Sequence, residues 1–246
     1  MDVILPSAGR GTRMGGETNK VLMPLEGVAV VVRAAAVFQA HPAVRFIWLV
    51  ARPEDSQGLA AAFGGWLGGN LKWSKIQPPV PGGAQRQDSV AAGLRAMAGN
   101  PPEGVLIHDG ARPFLSAQLV DRVIEGLAKH PAVVPRVAIT DTVREITPTG
   151  SRVVNRQELF RMQTPQGFHW GVICKAYESV RNNPVDVTDD AQLVEQAGGQ
   201  VAFVWGEARN IKLTRGEDMA LGTWLLAHPN WGQEEPALSM GTKTSG

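Results

Sequence analysis

The chain has 246 residues, 24 Lys and Arg against 23 Asp and Glu, a formal net charge of +1, and a single cysteine, Cys174. This length suits one α/β domain with a substantial core. The near-cancelling charge gives no general attraction to nucleic acid, and one cysteine excludes an intrachain disulfide, which fits a reducing cytoplasm. No apolar run approaches the roughly 18 residues of a membrane span. The start, Met1-Asp2-Val3-Ile4-Leu5-Pro6, lacks the regions of a signal peptide, so the expectation is a cytoplasmic protein with neither membrane nor nucleic acid as partner.

Val3-Ile4-Leu5 predicts a first strand, followed by the glycine-rich "PSAGRGTRMGGETNK" of residues 6–20 and a helix over 28–40. A strand over 44–50, a helix over 55–66 and a glycine turn leading into a helix over 85–98 come next. Strands at 104–108 and 132–135 flank a helix at 116–129; later come helices at 170–181 and 189–197, a strand at 200–205 and a helix at 216–228. The alternation predicts a mostly parallel sheet covered on both faces, in which ligands bind beyond the carboxyl ends of the strands. Residues 137–168 break the rhythm, with a two-stranded excursion turning at Pro148-Thr149-Gly150-Ser151. An isolated hairpin is marginal in water, so it is expected to pack on something else, such as another subunit. The expected organisation is one domain over 1–231 and a frayed polar tail over 232–246.

The first loop has the glycines of a phosphate site but fits neither familiar pattern. Met14 stands where a dinucleotide fingerprint needs its third glycine, and Glu17-Thr18 replaces the Lys-Ser/Thr of a P-loop. Its glycines alone suit a tight βα turn as well as a phosphate cradle; Arg13 and Lys20 on the same loop favour a triphosphate cradle. In "HDGARP" (108–113), Asp109 ends a strand, where a carboxylate can hold Mg²⁺ together with substrate phosphates or cap a turn; His108 is expected to be structural. "GGAQRQDSVAAGL" (82–94) lets backbone approach a flat base, although spacing alone favours an ordinary helix start at Asp88 or Ser89. Lys212, between Ile211 and Leu213, points either to a cleft or to solvent. Thr188 can contact a phosphate or cap a helix, and the tryptophans are assigned to packing. There is no triad or paired-cysteine metal pattern, so cations plus one candidate metal acid point to phosphoryl or nucleotidyl transfer.

Taken in order, the glycine loop, "GGxxRxxSV" at 82–90, "HDGARP", "TDT" at 140–142, "NRQELFRMQTPQGF" at 155–168, "TDDAQLVE" at 188–195 and "NIKLTRGED" at 210–218 resemble the 2-C-methyl-D-erythritol 4-phosphate cytidylyltransferases of non-mevalonate isoprenoid synthesis. The likeness covers roughly residues 2–228. It implies a Rossmann-like fold and a homodimer joined by a β-arm. CTP is then held by Ser7, Ala8, Gly9, Gly11, Thr12 and Gly110, its base near Gly83, Ala84 and Ser89, with Mg²⁺ on Asp109. The acceptor, a polyol phosphate, meets Arg112, Thr188 and Lys212, with Asp141, Thr142 and Arg156 from the other subunit's arm. Arg13, Lys20, Arg156 and Lys212 are the implied catalytic cations. The chain departs from the expected pattern at Val21-Leu22, at Ala84, and at Arg209, where an acid is expected.

The nearest alternative is a cytidylyltransferase for ribitol 5-phosphate on the same scaffold. A nucleotide-dependent oxidoreductase is opposed by Met14 and by the Ala51-Arg52 that closes the second strand. A non-catalytic nucleotide-binding regulator is opposed by the retention of all four cations.

Overall fold

The computed structural model describes residues 1–8, 19–64, 73–181, 185 and 187–232. The expectations for Gly9, Gly11, Thr12, Arg13, Trp66 and the tail beyond residue 232 lie outside the described residues.

In chain order the first half forms β1 (Asp2–Pro6), β2 (Pro24–Leu25), β3 (Val28–Ala29), α1 (Val30–Ala40), β4 (Phe46–Ala51), α2 (Ser56–Gly64), β5 (Val80–Pro81), α3 (Arg86–Met97), β6 (Gly104–Ile107) and α4 (Ala117–Leu127). The second half forms β7 (Ala132–Ala138), β8 (Val143–Thr147), β9 (Gly150–Val154), β10 (Phe160–Met162), β11 (Gln166–His169), α5 (Trp170–Ser179), α6 (Asp190–Gln196), β12 (Ala202–Trp205) and α7 (Gly216–Ala227). Each strand and helix expected from periodicity is present, with ends shifted by a few residues. Side-chain caps fix several starts: Ser116 accepts from Leu119 N at 3.0 Å and Asp189 from Gln192 N at 3.0 Å. The cap before α6 is therefore Asp189 rather than Thr188, whose own N–H donates to Gln192 Oε1 at 3.1 Å.

The main sheet runs β5-β4-β1-β6-β11-β7, and β1, β4, β5 and β6 are mutually parallel neighbours. Val133 pairs with Gly167 and with Ala202, so β11 and β12 occupy opposite edges of β7. Alternate residues feed two cores, as a period of two requires. Val3, Leu5, Ile47, Leu49 and Leu106 pack with α1, α2 and α4. Ile4, Val50, Val105, Ile107 and Phe168 pack with α3, α5 and α6. Burial on both faces is why these strands appear in sequence as unbroken apolar runs. A third, smaller core of Leu25, Val30, Phe114, Leu213 and Leu225 seats α7.

The excursion is narrower than 137–168. Val137 and Ala138 remain in β7, paired with Arg161 and Phe160, and Gln166 to Phe168 return as β11 between β6 and β7. Within the excursion, β8 and β9 alone stand off the main sheet as a two-stranded sheet, with Ile146 and Val153 exposed on it. The tryptophans also divide. Trp73 packs edge-on against Phe63 at 4.8 Å, whereas Trp224 and Trp231 lie exposed on and beyond α7. There Trp224 stacks on His228 at 4.2 Å. The helix buries its Gly222 and Leu225 side, which leaves the Trp224 side outward.

Candidate active site

A cavity of about 670 Å³ opens beyond the carboxyl ends of β1, β4, β5 and β6, the place where parallel sheets collect their loops, and its size suits a nucleotide. Nine of the residues singled out in the sequence line it: Ser7, Ala8, Lys20, Gly83, Ala84, Ser89, Asp109, Gly110 and Lys212. Two of the glycines are required by crowding. A Cβ at Gly83 would lie 2.2 Å from Asp88 Cβ, and one at Gly110 would lie 2.6 Å from Ser7 Oγ. Ser89 braces the turn before α3: its hydroxyl accepts from Gly83 N at 3.3 Å and donates to Gln85 O at 3.2 Å.

Asp109 is the electrostatic centre. Its Oδ1 accepts from Arg86 Nε at 3.0 Å, its Oδ2 lies 2.9 Å from Lys212 Nζ, and Arg112 Nε stands 3.7 Å away. Burial alone would raise its pKa, but the charges of Arg86, Lys212 and Arg112 outweigh that and hold the carboxyl well below the usual range. Arg86 shares its fork, sending Nη2 to Asp190 Oδ2 at 2.8 Å. Tyr177 donates its hydroxyl to Asp190 Oδ1 at 2.6 Å. Arg86 and Asp190 were both inside quoted motifs, yet nothing in their spacing showed that they would pair through space.

The backbone beneath Asp109 is held by a buried relay. His108 Nε2 lies 3.1 Å from the Arg112 carbonyl, which can only accept, so that nitrogen carries the proton. His108 Nδ1 therefore accepts from Thr164 Oγ1 at 3.0 Å, and Thr164 accepts from Asp109 N at 3.1 Å. Burial pushes the His108 pKa down to about 4, keeping the ring neutral. His108 is structural, as expected. Lys212 is placed by a similar lattice: Gln163 exchanges hydrogen bonds with the Glu207 backbone at 2.7 and 3.0 Å, and Arg112 Nη1 donates to Asn210 O at 2.8 Å. Arg209 is buried, and its Nη1 has no hydrogen-bond partner among the described residues. The ion pair beside Lys212 is made by Asp109 instead.

Arg112 does not line the cavity; it acts from behind Asp109. Thr188, Asp141, Thr142 and Arg156 also lie outside its lining. All four are exposed, the last three at the root of the β8–β9 hairpin, where Arg156 Nη1 donates to Thr140 O. Sequence reading assigned no part in the site to Asn19, Arg52 or Asp55.

Among the described residues, no cluster of three His, Cys, Asp or Glu side chains is placed to hold a metal. A carboxylate offers about four lone-pair positions, so Asp109 has room for one further cation. That fits Mg²⁺, which commonly takes one or two carboxylates and draws other ligands from substrate phosphates and water.

The family model described as 2-C-methyl-D-erythritol 4-phosphate cytidylyltransferase matches residues 1–228. A protein of that name from Bacillus licheniformis is 34% identical over 229 residues, covering 92% of this chain and 95% of the relative. The bifunctional enzyme IspD/IspF of Rhodospirillum rubrum is 39% identical over 217 residues, covering 88% of this chain and 54% of the relative; the chain thus spans about half the length of such bifunctional relatives. The crystal structure of 2-C-methyl-D-erythritol 4-phosphate cytidylyltransferase from Thermus thermophilus superposes with a TM-score of 0.74 at 30% identity, covering 92% of this chain and 98% of that one. On the match across residues 1–228, the chain belongs to the 2-C-methyl-D-erythritol 4-phosphate cytidylyltransferase family.

Proposed function

We propose that this protein joins CTP and 2-C-methyl-D-erythritol 4-phosphate to give 4-diphosphocytidyl-2-C-methyl-D-erythritol and pyrophosphate. The observation that carries the reading is the meeting of Lys20, Lys212 and Asp109 in one nucleotide-sized cavity at the strand ends, together with family membership. CTP lies with its triphosphate along Ser7 and Ala8 and the loop residues Gly9, Gly11, Thr12 and Arg13. Its base rests on the Gly83–Ala84 turn that Ser89 braces, and Gly110 allows close approach beside Ser7.

One phosphate oxygen of the acceptor attacks the α-phosphorus of CTP; a new P–O bond forms, the bond to the β-phosphate oxygen breaks, and pyrophosphate leaves. Both partners are anionic, so the protein's task is to bring like charges together. Arg13 and Lys20 neutralise the triphosphate, while Lys212 takes the acceptor phosphate, assisted by Thr188, with Arg112 holding Asp109 from behind. No side-chain base is needed, because the attacking phosphate is already ionised. Mg²⁺, where bound, would be held by the triphosphate and Asp109 and would add further charge neutralisation.

The exposed β8–β9 hairpin, which lacks a core of its own, supports a homodimer. In it Asp141, Thr142 and Arg156 of one copy complete the acceptor site of the other. No helix among the described residues is long and apolar enough to cross a membrane; with the single cysteine, this supports a cytoplasmic setting with small-molecule partners. Titration calorimetry tests the nucleotide assignment. CTP is expected to bind in preference to UTP, ATP and GTP, and equal binding of all four would contradict a base site at Gly83 and Ala84.

A further inference from the structure

Ser7 and Asn19, one on each side of the glycine loop in sequence, are tied into one cluster of buried polar groups. Asn19 Nδ2 donates both its protons, to Ser7 O at 2.6 Å and to Asp55 Oδ2 at 2.8 Å. Its Oδ1 accepts from Val21 N at 3.3 Å, in the short turn that begins at Lys20. Asp55 is gripped by Arg52, with Nε to Oδ2 at 2.8 Å and Nη2 to Oδ1 at 2.9 Å. Ser7 N in turn donates to Val50 O at 2.7 Å. Asn19 and Asp55 are buried, at 2% and 7% exposure, while Ser7, Lys20 and Arg52 all line the cavity.

We infer that Asn19, Asp55 and Arg52 form a neck clamp that fixes Lys20 and the end of β1 against the nucleotide triphosphate, so that Asn19 and Asp55 are positioning residues for the nucleotide. The inference rests on the cytidylyltransferase reading. Asn19 uses both its donors and its acceptor, and Asp55 uses both its oxygens. Only a carboxamide can donate in two directions and accept in a third at position 19, and only a carboxylate at 55 can take both Asn19 and a bidentate arginine. Neither side chain lines the cavity, so their effect passes through the placement of Lys20 and Ser7. Small misplacement of a charged group at such a site costs as much as about 10²-fold.

The clamp acts on one substrate and spares the other, which a general loss of stability would not do. In Asn19→Ala the calorimetric Kd and the KM for CTP are expected to rise about tenfold, with the acceptor KM within about twofold of wild type. Asp55→Asn, which keeps the side-chain volume, is expected to change the same constants in the same direction. The double variant should be no worse than Asn19→Ala alone, since both residues act as a unit. Circular dichroism and melting curves confirm folding, and Asp55→Asn carries the test if Asn19→Ala does not fold. Unchanged CTP affinity in a variant protein, alongside weakened CTP binding in Lys20→Ala, would overturn the clamp and leave the cavity assignment standing. An equal rise in both KM values would also overturn the clamp. A wild-type protein that binds no CTP would overturn both readings.

Discussion

Asp109 stands among three cations, and its neighbours divide the work. Arg112 faces it from within the fold, while Arg86 and Lys212, the latter paired at 2.9 Å, also line the cavity. The sequence left Lys212 open between cleft and solvent. The packing resolves this, because Leu213 is buried and Ile211 packs in the core that seats α7, leaving the lysine to turn to the sheet end. Arg86 was less legible: an arginine in a helix-starting turn gives no local sign that two carboxylates, 23 residues and about a hundred residues away, will share its fork. Lys20→Ala is expected to lower kcat by about 10²–10³ with little change in melting temperature; near-normal turnover would remove it from the site. Asp190→Asn leaves the half-buried Arg86 with one carboxylate instead of two. Urea denaturation should show a loss near the lower end of the roughly 3–5 kcal/mol typical of a broken buried pair, because Asp109 remains.

Elements buried on both faces were the most legible, since continuous apolar runs and helical periodicity need no distant partner to be recognised. β11 was not, although Gln166-Gly167-Phe168-His169 lies wholly in the sheet. It is short, polar at both ends and antiparallel among parallel neighbours, so its identity as a strand comes from the edges of β6 and β7. Gly167 fits there because a Cβ would lie 2.6 Å from Val123 on α4. The two-residue β5 carried too little pattern to register. The β8–β9 hairpin was legible as an excursion, but its limits were set too wide because β7 and β10 share its strand-like composition. If Arg156 serves the neighbouring subunit, mixing Arg156→Ala with Lys212→Ala protein should recover activity through hybrid dimers carrying one intact site. No recovery after subunit exchange would count against a shared site.

At the scale of the molecule, the relay under Asp109 links stability to pH. The His108 pKa falls from an ordinary 6.5 to about 4 in the folded protein. Between these values the unfolded chain binds a proton that the folded chain refuses. This contribution to stability is therefore complete above pH 6.5 and is lost as pH falls towards 4, by up to about 3 kcal/mol. Urea unfolding in metal-free buffer measures it, and His108→Asn should flatten the dependence in that window. A wild-type curve as flat as the variant's would contradict a buried neutral ring. The architecture was readable because alternating strands and helices leave few ways to close a parallel sheet. The site was readable only in part, since its cations sit in separate motifs that meet through tertiary structure.

The central claim, that the cavity serves a cytidylyl transfer, is tested most directly by pyrophosphate release from CTP and Mg²⁺ with either methylerythritol phosphate or ribitol 5-phosphate. Release is predicted with methylerythritol phosphate, accompanied by the diphosphocytidyl product in the phosphorus spectrum. Release with ribitol phosphate in preference, or with neither acceptor, would contradict it.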